Sequence, residues 1–511
     1  MSPARHRMRG RAAACSAALL SSLLAFHPAA GVTLNPRGLG QVLIYPYYTV
    51  NAGNSTLLSV VNTTQAGKAL KLRFLEGYNG REVLTFNLYL SPFDVWVGQI
   101  YNRDGDATGG ATLGTYDTSC TNVEFAVFPE FPVESLHSQA FDESAFTGTN
   151  ADGGPTGPER TREGYFEIIE MGEVTDATHA TLSAITHING VPANCPQIAA
   201  AWEGGGYWSI DATTDLAPPR GGLYGAESII NVAQGTLYAA NALAIDGFSS
   251  TIQHTAQDNP APDLNTASKS TDGTISAYVP FGGKLVKADY ASSQDAISAL
   301  FMADTLLNEY VIDQDVGAAS DWLVTFPTKR FYTDPAMLPA GASEALRPFD
   351  EIFSANNVGG SCSQAPASFF NREELTTTSF GCGFICPTLP PQGFCYATNT
   401  ITVGSSASVL GSQLFYQDNY GGYVDPTSVG FSSGHLRVHL TSDRFGSQLA
   451  SRALSSGNGL TLTGLPAIGF MATNYVNANV TAGILANYSG AYPHRVHVTC
   501  QSSLDPQAPC D

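Results

Sequence analysis

The residues able to do chemistry fall into a few short constellations. Gly430-Phe431-Ser432-Ser433-Gly434 matches G-x-S-x-G, the turn that lifts a nucleophilic serine above an α/β-hydrolase sheet. That chemistry needs a strand before the turn and a helix after it. The next six residues, His435-Leu436-Arg437-Val438-His439-Leu440, alternate as a strand does, so a plain turn is expected at Ser432. On a strand, His435 and His439 lie about 13 Å apart, too far to share one ion. His494 and His497 would point to opposite faces. All four are expected to face solvent. Asn102, Asp104 and Asp106 place oxygen ligands at alternate positions, as calcium loops do. Ala107 and Leu113 stand where the EF-hand pattern wants Gly and Glu, so only a looser calcium site is left open. Glu163, Glu167, Glu170 and Glu173 cluster around REGYFEIIEMGE. A glycosidase needs carboxylates about 5–5.5 Å apart for retention or about 6.5–9.5 Å for inversion. Glu167 and Glu170 face opposite sides of a strand, so this cluster reads as surface charge.

Cysteine chemistry constrains the chain most. Beyond Cys15 lie Cys120, Cys195, Cys362, Cys382, Cys386, Cys395, Cys500 and Cys510, an even set that reads as disulfides in an exported chain. Zinc is disfavoured, because Cys382 and Cys386 lack C-x2-C spacing and no histidine lies between Cys362 and Cys395. Proximity selects Cys120–Cys195, Cys500–Cys510 and two bridges among the central four. Chain entropy assigns roughly 4–5 kcal/mol to the long first loop and roughly 3 kcal/mol to the short terminal one.

Export is written at the start. Arg5, Arg7, Arg9 and Arg11 precede an apolar run from Ala12 to Phe26 and then small residues, the layout of a secretory signal peptide over 1–31. Cleavage is expected near Gly31–Val32. The run falls short of the roughly 20 residues that span a bilayer, so no integral membrane span is expected. The 511 residues carry a formal charge of −20, made four more negative by loss of those arginines. Such a surface does not bind nucleic acid and is repelled by anionic membranes. Charged residues are only 13% and apolar residues 43%, which excludes a disordered chain.

The elements that must position these groups are mainly strands. Leu70, Leu72 and Phe74 alternate with Lys71 and Arg73, and Leu84, Phe86, Leu88 and Leu90 form a second alternating run. Asn79-Gly80 between them marks a hairpin turn. Further strands are expected at Val42–Tyr45, Leu57–Val61, Val95–Ile100, Tyr165–Met171, Ala180–Ile188, Ser228–Ala233, Thr236–Ile245, Trp322–Phe326, Leu436–Leu440 and Ile468–Ala472. One amphipathic helix is expected where Ser292 and Asp295 cap a face of Ala296, Leu300, Ala303 and Leu307. The fold class is therefore mainly β, with antiparallel sandwich-like domains. Residues 32–252 form the first, with a mobile surface insertion at 141–164. Residues 253–273 read as a linker, and 274–511 as a second domain carrying the helix and a cysteine-rich segment at 355–398. Eight cysteines and long irregular loops fit poorly with an outer-membrane barrel.

IYPYYTVNAGNSTLLSVVNTT, LKLRFLEGYNGREVLTFNLYLSPFDVW and GLPAIGFMATNYVNANVTAGILANYSGAYPHR resemble segments of uncharacterised secreted or cell-surface proteins of Gram-negative bacteria. The resemblance implies an exported, envelope-associated protein and transfers no catalytic motif. The function expected is a non-catalytic envelope or extracellular role, structural or in recognition and adhesion, with other envelope proteins or surface glycans as partners. The alternative is a secreted hydrolase acting on a glycan or another extracellular polymer.

Overall fold

A computed structural model describes residues 31–511 other than 104, 106–108, 123–125, 129–135, 355–359, 379–392, 406, 418–422, 444, 478–480, 482, 485, 503–509 and 511. The signal segment, Asp104, Asp106, Cys382, Cys386 and much of 355–398 therefore lie outside the described residues.

The alternating runs form the hairpin their spacing demands. Gly67–Glu76 pairs antiparallel with Glu82–Leu90, and Gly80 in the turn takes a φ of 70°, which glycine adopts at no steric cost. Leu70, Leu72 and Phe74 point into a core shared with Leu58, Val60, Trp96 and Ile100. That core lies between a ten-stranded sheet and a seven-stranded sheet, the first sandwich. A second sandwich pairs two five-stranded sheets, one holding Thr305–Val311 and Ser433–His439, the other Ala318–Thr325 and Ile468–Tyr475. Leu306, Trp322, Val324, Ile401, Leu436 and Met471 fill it. The chain is mainly β and its sheets are largely antiparallel, as the period-two pattern requires.

The two halves share hydrogen bonds and core. The ten-stranded sheet includes Leu243–Asp246 and Ile275–Phe281, from either side of 253–273, with the short strand Val32–Leu34 between them. Val42, Ile169 and Ile245 belong to the same apolar cluster as the second sandwich.

Several expectations are corrected. The outward face of Gly67–Glu76 is not half-exposed, because residues 253–273 cover it. Lys71 Nζ donates to the carbonyls of Ala256 (2.8 Å) and Asn259 (3.2 Å), and Leu264 and Ala267 are buried. The segment looked like a linker because it meets that face through backbone carbonyls, and its few apolar residues, Leu264 and Ala267, are spaced without period in the neighbouring core. Residues 141–164 run partly over the surface but are anchored: Phe141 and Phe146 enter the first core, and Arg160 and Thr161 are buried. The helix runs only Ser293–Ala299. Ser292 Oγ accepts from the Asp295 amide as expected (3.2 Å), but Ala303 and Leu307 lie on strands. Ala303 is buried on its strand, whereas Leu307 lies on the opposite face of its strand from the core residues Leu306 and Tyr310. Ala180–Ile188 contains a helix, Thr181–Ile185, because the Asp215 carboxylate accepts from the amides of Thr178 and His179 and the hydroxyl of Thr181.

Three disulfides are present among the described residues. Cys120–Cys195 ties the sheet-edge strand Cys120–Thr121 to the helix Cys195–Trp202, rather than joining two strands. Cys362–Cys395 joins two buried cysteines, and Cys500–Cys510 fixes Cys510 to the strand Thr499–Ser502.

Candidate functional site

A wide cleft lies between the sandwiches. The edge strand Thr236–Asn241 of the seven-stranded sheet approaches the edge strand Tyr488–Pro493 of the second sandwich. Ser489 Oγ stitches them, accepting from the Leu237 amide (2.7 Å) and donating to the Leu237 carbonyl (2.9 Å). Beyond the stitch a cleft of about 1360 Å³ opens. Its walls are Ala226, Ala239, Ala240, Ala242, Ala244 and Ala491, with Pro46 and Phe470 behind them and the Pro280–Leu285 turn at one side. The chain makes this space through small residues. At Ala242 it passes from the seven-stranded to the ten-stranded sheet, and the run Ala239-Ala240-Asn241-Ala242-Leu243-Ala244 lines the crossing without filling it. Gly225 is required beside it, because a Cβ there would meet Tyr45 Oη at 1.9 Å. Lys284 is the one charged residue of the lining. A cleft with so few donors or acceptors has no means of orienting polar reacting groups. It can hold an apolar body.

A smaller polar cleft, about 680 Å³, lies against Asp94, Tyr116, Asp117, His137 and His187. Ser91 Oγ is 3.1 Å from His187 Nδ1, and Asp94 Oδ2 is 3.5 Å from that same nitrogen. A serine relay needs the carboxylate on one ring nitrogen and the serine on the other. Here both address Nδ1, so the imidazole cannot pass a proton between them. Among the described residues no group of three or more His, Cys, Asp or Glu is placed to hold a metal ion.

Of the glutamates read as surface charge, Glu163, Glu167 and Glu170 are buried and Glu173 is half-buried. Glu170 pairs with Lys68 at 2.7 Å, Glu167 with Arg73, and Glu173 with Lys68 at 2.9 Å. Glu163 faces no cation. It accepts from Tyr47 Oη (2.7 Å), Asn51 Nδ2 (3.2 Å), Ser412 Oγ (2.7 Å) and the Gln413 amide (2.7 Å). Burial raises its carboxyl above the ordinary range despite those donors. Sequence alternation hid this, because a charged residue at an outward position looks solvated until another segment covers it. A further ionic cluster joins the halves: Arg160 to Glu76 (2.9 Å) and Asp152 (2.7 Å), and Arg81 to Asp334 (2.9 Å). Burial opposes ionisation of Asp152, but Arg160 and Asn79 hold its carboxyl down to about 2. Asp321, on a strand of the second sandwich, is buried and pushed up to about 6, although Ser408 and the Leu410 amide donate to it.

The other sequence candidates scatter. Ser432 precedes a strand, Ser433–His439, and follows a 3-10 turn, Pro426–Val429, so neither flank of a nucleophile elbow is present. His435 stacks on Phe370 at 4.5 Å, and His439 Nε2 lies 3.3 Å from Ser368 Oγ. His494 departs from the solvent-facing expectation. Its ring packs on Trp322 at 4.6 Å, Nε2 lies 2.9 Å from the Leu323 carbonyl, and burial pushes it down to about 4. His497 is exposed, 2.7 Å from Asp304. Asn102 is placed, but its partners in the calcium reading, Asp104 and Asp106, lie outside the described residues.

No family model matches this chain, and neither curated proteins nor solved structures yield a match.

Proposed function

We propose that this chain is an exported, non-catalytic recognition protein of the cell envelope or extracellular space, and that the cleft between its sandwiches holds the apolar part of its ligand. The observation that carries the reading is the cleft itself, about 1360 Å³ lined mainly by alanine, proline and phenylalanine and kept open by small residues. Export is supported by three disulfides, which belong to an oxidising compartment, and by the signal-like first segment. Among the described residues no helix is long and apolar enough to cross a membrane. Recognition is favoured over hydrolysis because Ser432, Ser91 and the buried glutamates each lack the partner geometry that turnover requires.

The neutral fluorophore N-phenyl-1-naphthylamine tests the reading. Saturable fluorescence enhancement is expected with the mature, disulfide-bonded protein. Ala240→Trp, which places an indole in the cleft, is expected to abolish it while leaving the circular-dichroism spectrum unchanged. Absence of enhancement in the wild type, or undiminished enhancement in Ala240→Trp, would overturn the assignment.

A further inference from the structure

The outer face of the seven-stranded sheet departs from the usual polar-out rule of a half-solvated antiparallel sheet. Four neighbouring strands form it: Thr236–Asn241, Leu223–Asn231, Ser55–Asn62 and Val95–Tyr101. Registers set Tyr224 beside Val61 and Val61 beside Val95, with Ser59 beside Val97 in the adjoining row. Leu57, Val95, Val97, Tyr224 and Leu237 are 39–49% exposed. The remaining outward positions of these strands are Ser, Ala, Ile, Gln, Asn and Tyr101, none of them charged, and Ala226, Ala239 and Asn241 at the margin of this face also line the cleft. In a chain of formal charge −20 this face is an exception.

We propose that this face is an interaction surface for a second copy of the same chain. Charge selects the occupant. A partner rich in ionic groups finds nothing here to pair with, whereas an identical face brings no carboxylate against another. Two acidic copies can meet here without opposing their charges. Composition agrees, since the cores of homodimer interfaces are depleted in charge and enriched in aromatic and aliphatic groups. Four strands by seven residues span about 450 Å² in projection, the size of the largest patch on a typical monomer and below the roughly 800 Å² per partner of a standard interface, so the expected contact is a weak, concentration-dependent one. A twofold axis through Val97 and Leu57 would make the contact self-complementary, with the sheets stacked about 10 Å apart.

Sedimentation velocity of the mature, disulfide-bonded protein across a concentration series tests this. A dimer is expected in the wild type. Val97→Glu and Leu57→Glu are expected to weaken association by about 100-fold each, because a carboxylate would be buried without a partner. Both positions point to solvent in the single chain, so melting temperature should not move. A monomer at every concentration overturns the proposal. So does a dimer that survives both substitutions, which would place its interface elsewhere. A monomer that instead floats with phosphatidylcholine vesicles, and loses them in Val97→Glu, would assign the face to a neutral lipid surface and overturn it as well.

Discussion

Where Arg81 meets Asp334 the two halves of the molecule are joined by buried charge; beside the cleft they meet through a small apolar cluster, Ile229 and Tyr238 with Leu323 and Phe470, which leaves open space next to it. The contrast runs against simple expectation, since closing the apolar seam would bury surface at about 25 cal/mol per Å² and stabilise the fold. The charged seam gives little net stability, because desolvation offsets most of the Coulomb attraction. What it supplies is position. Arg81 reaches both Asp334 and Asp152, and Glu163 reaches across to Ser412 and Gln413, so the halves have few orientations in which every buried polar group is satisfied.

The comparison can be broken most severely at Asp334. Asp334→Ala leaves Arg81 and Arg330 without their shared carboxylate and is expected to cost about 3–5 kcal/mol in urea unfolding. Ligand binding in the cleft should fall with it. A loss under about 1 kcal/mol would mean that the charged seam does not hold the halves in register.

Asp321 sharpens the comparison, because it is a buried carboxyl with no cation. Its folded-state value of about 6 lies above the ordinary carboxyl range, so the folded form holds its proton more tightly than the unfolded chain. Its contribution is therefore fully present below about pH 4 and is lost as pH rises through 6. Asp321→Asn is expected to raise stability at neutral pH by about 2–3 kcal/mol and to flatten the pH 4–6 slope in thermal melts. An unchanged slope would show that another group carries it.

The smallest effect is expected in the cleft wall. Ala240→Val should change stability by less than about 0.5 kcal/mol, because the added methyls enter open space rather than a closed core. A stabilisation of about 1 kcal/mol or more by calorimetry would mean that the cleft is a packing defect.

Local rules made the strands legible. Alternation located Gly67–Glu76 and Glu82–Leu90, Asn79-Gly80 their turn, and Ser292 the start of a helix. Those rules depend on neighbours in sequence. The same alternation misplaced Lys71 and Glu167, whose burial is imposed by segments far along the chain. The cleft was illegible for a related reason: Pro46, Ala240, Phe470 and Ala491 come from separate stretches, and what they share is their place along one open seam. Absence of volume leaves no periodic mark.

The strand Val32–Leu34 sets a clock on folding. It lies in the interior of the ten-stranded sheet, bonded on one side to Leu243–Asp246 and on the other to Ile275–Phe281. The earliest segment of the sheet to be synthesised is thus among the last able to find its neighbours, and loop-closure entropy penalises so remote a pairing. Until Phe281 has been delivered, the sheet carries an unfilled slot and its two flanks cannot be joined. Completion of this fold therefore coincides with the arrival of its second half.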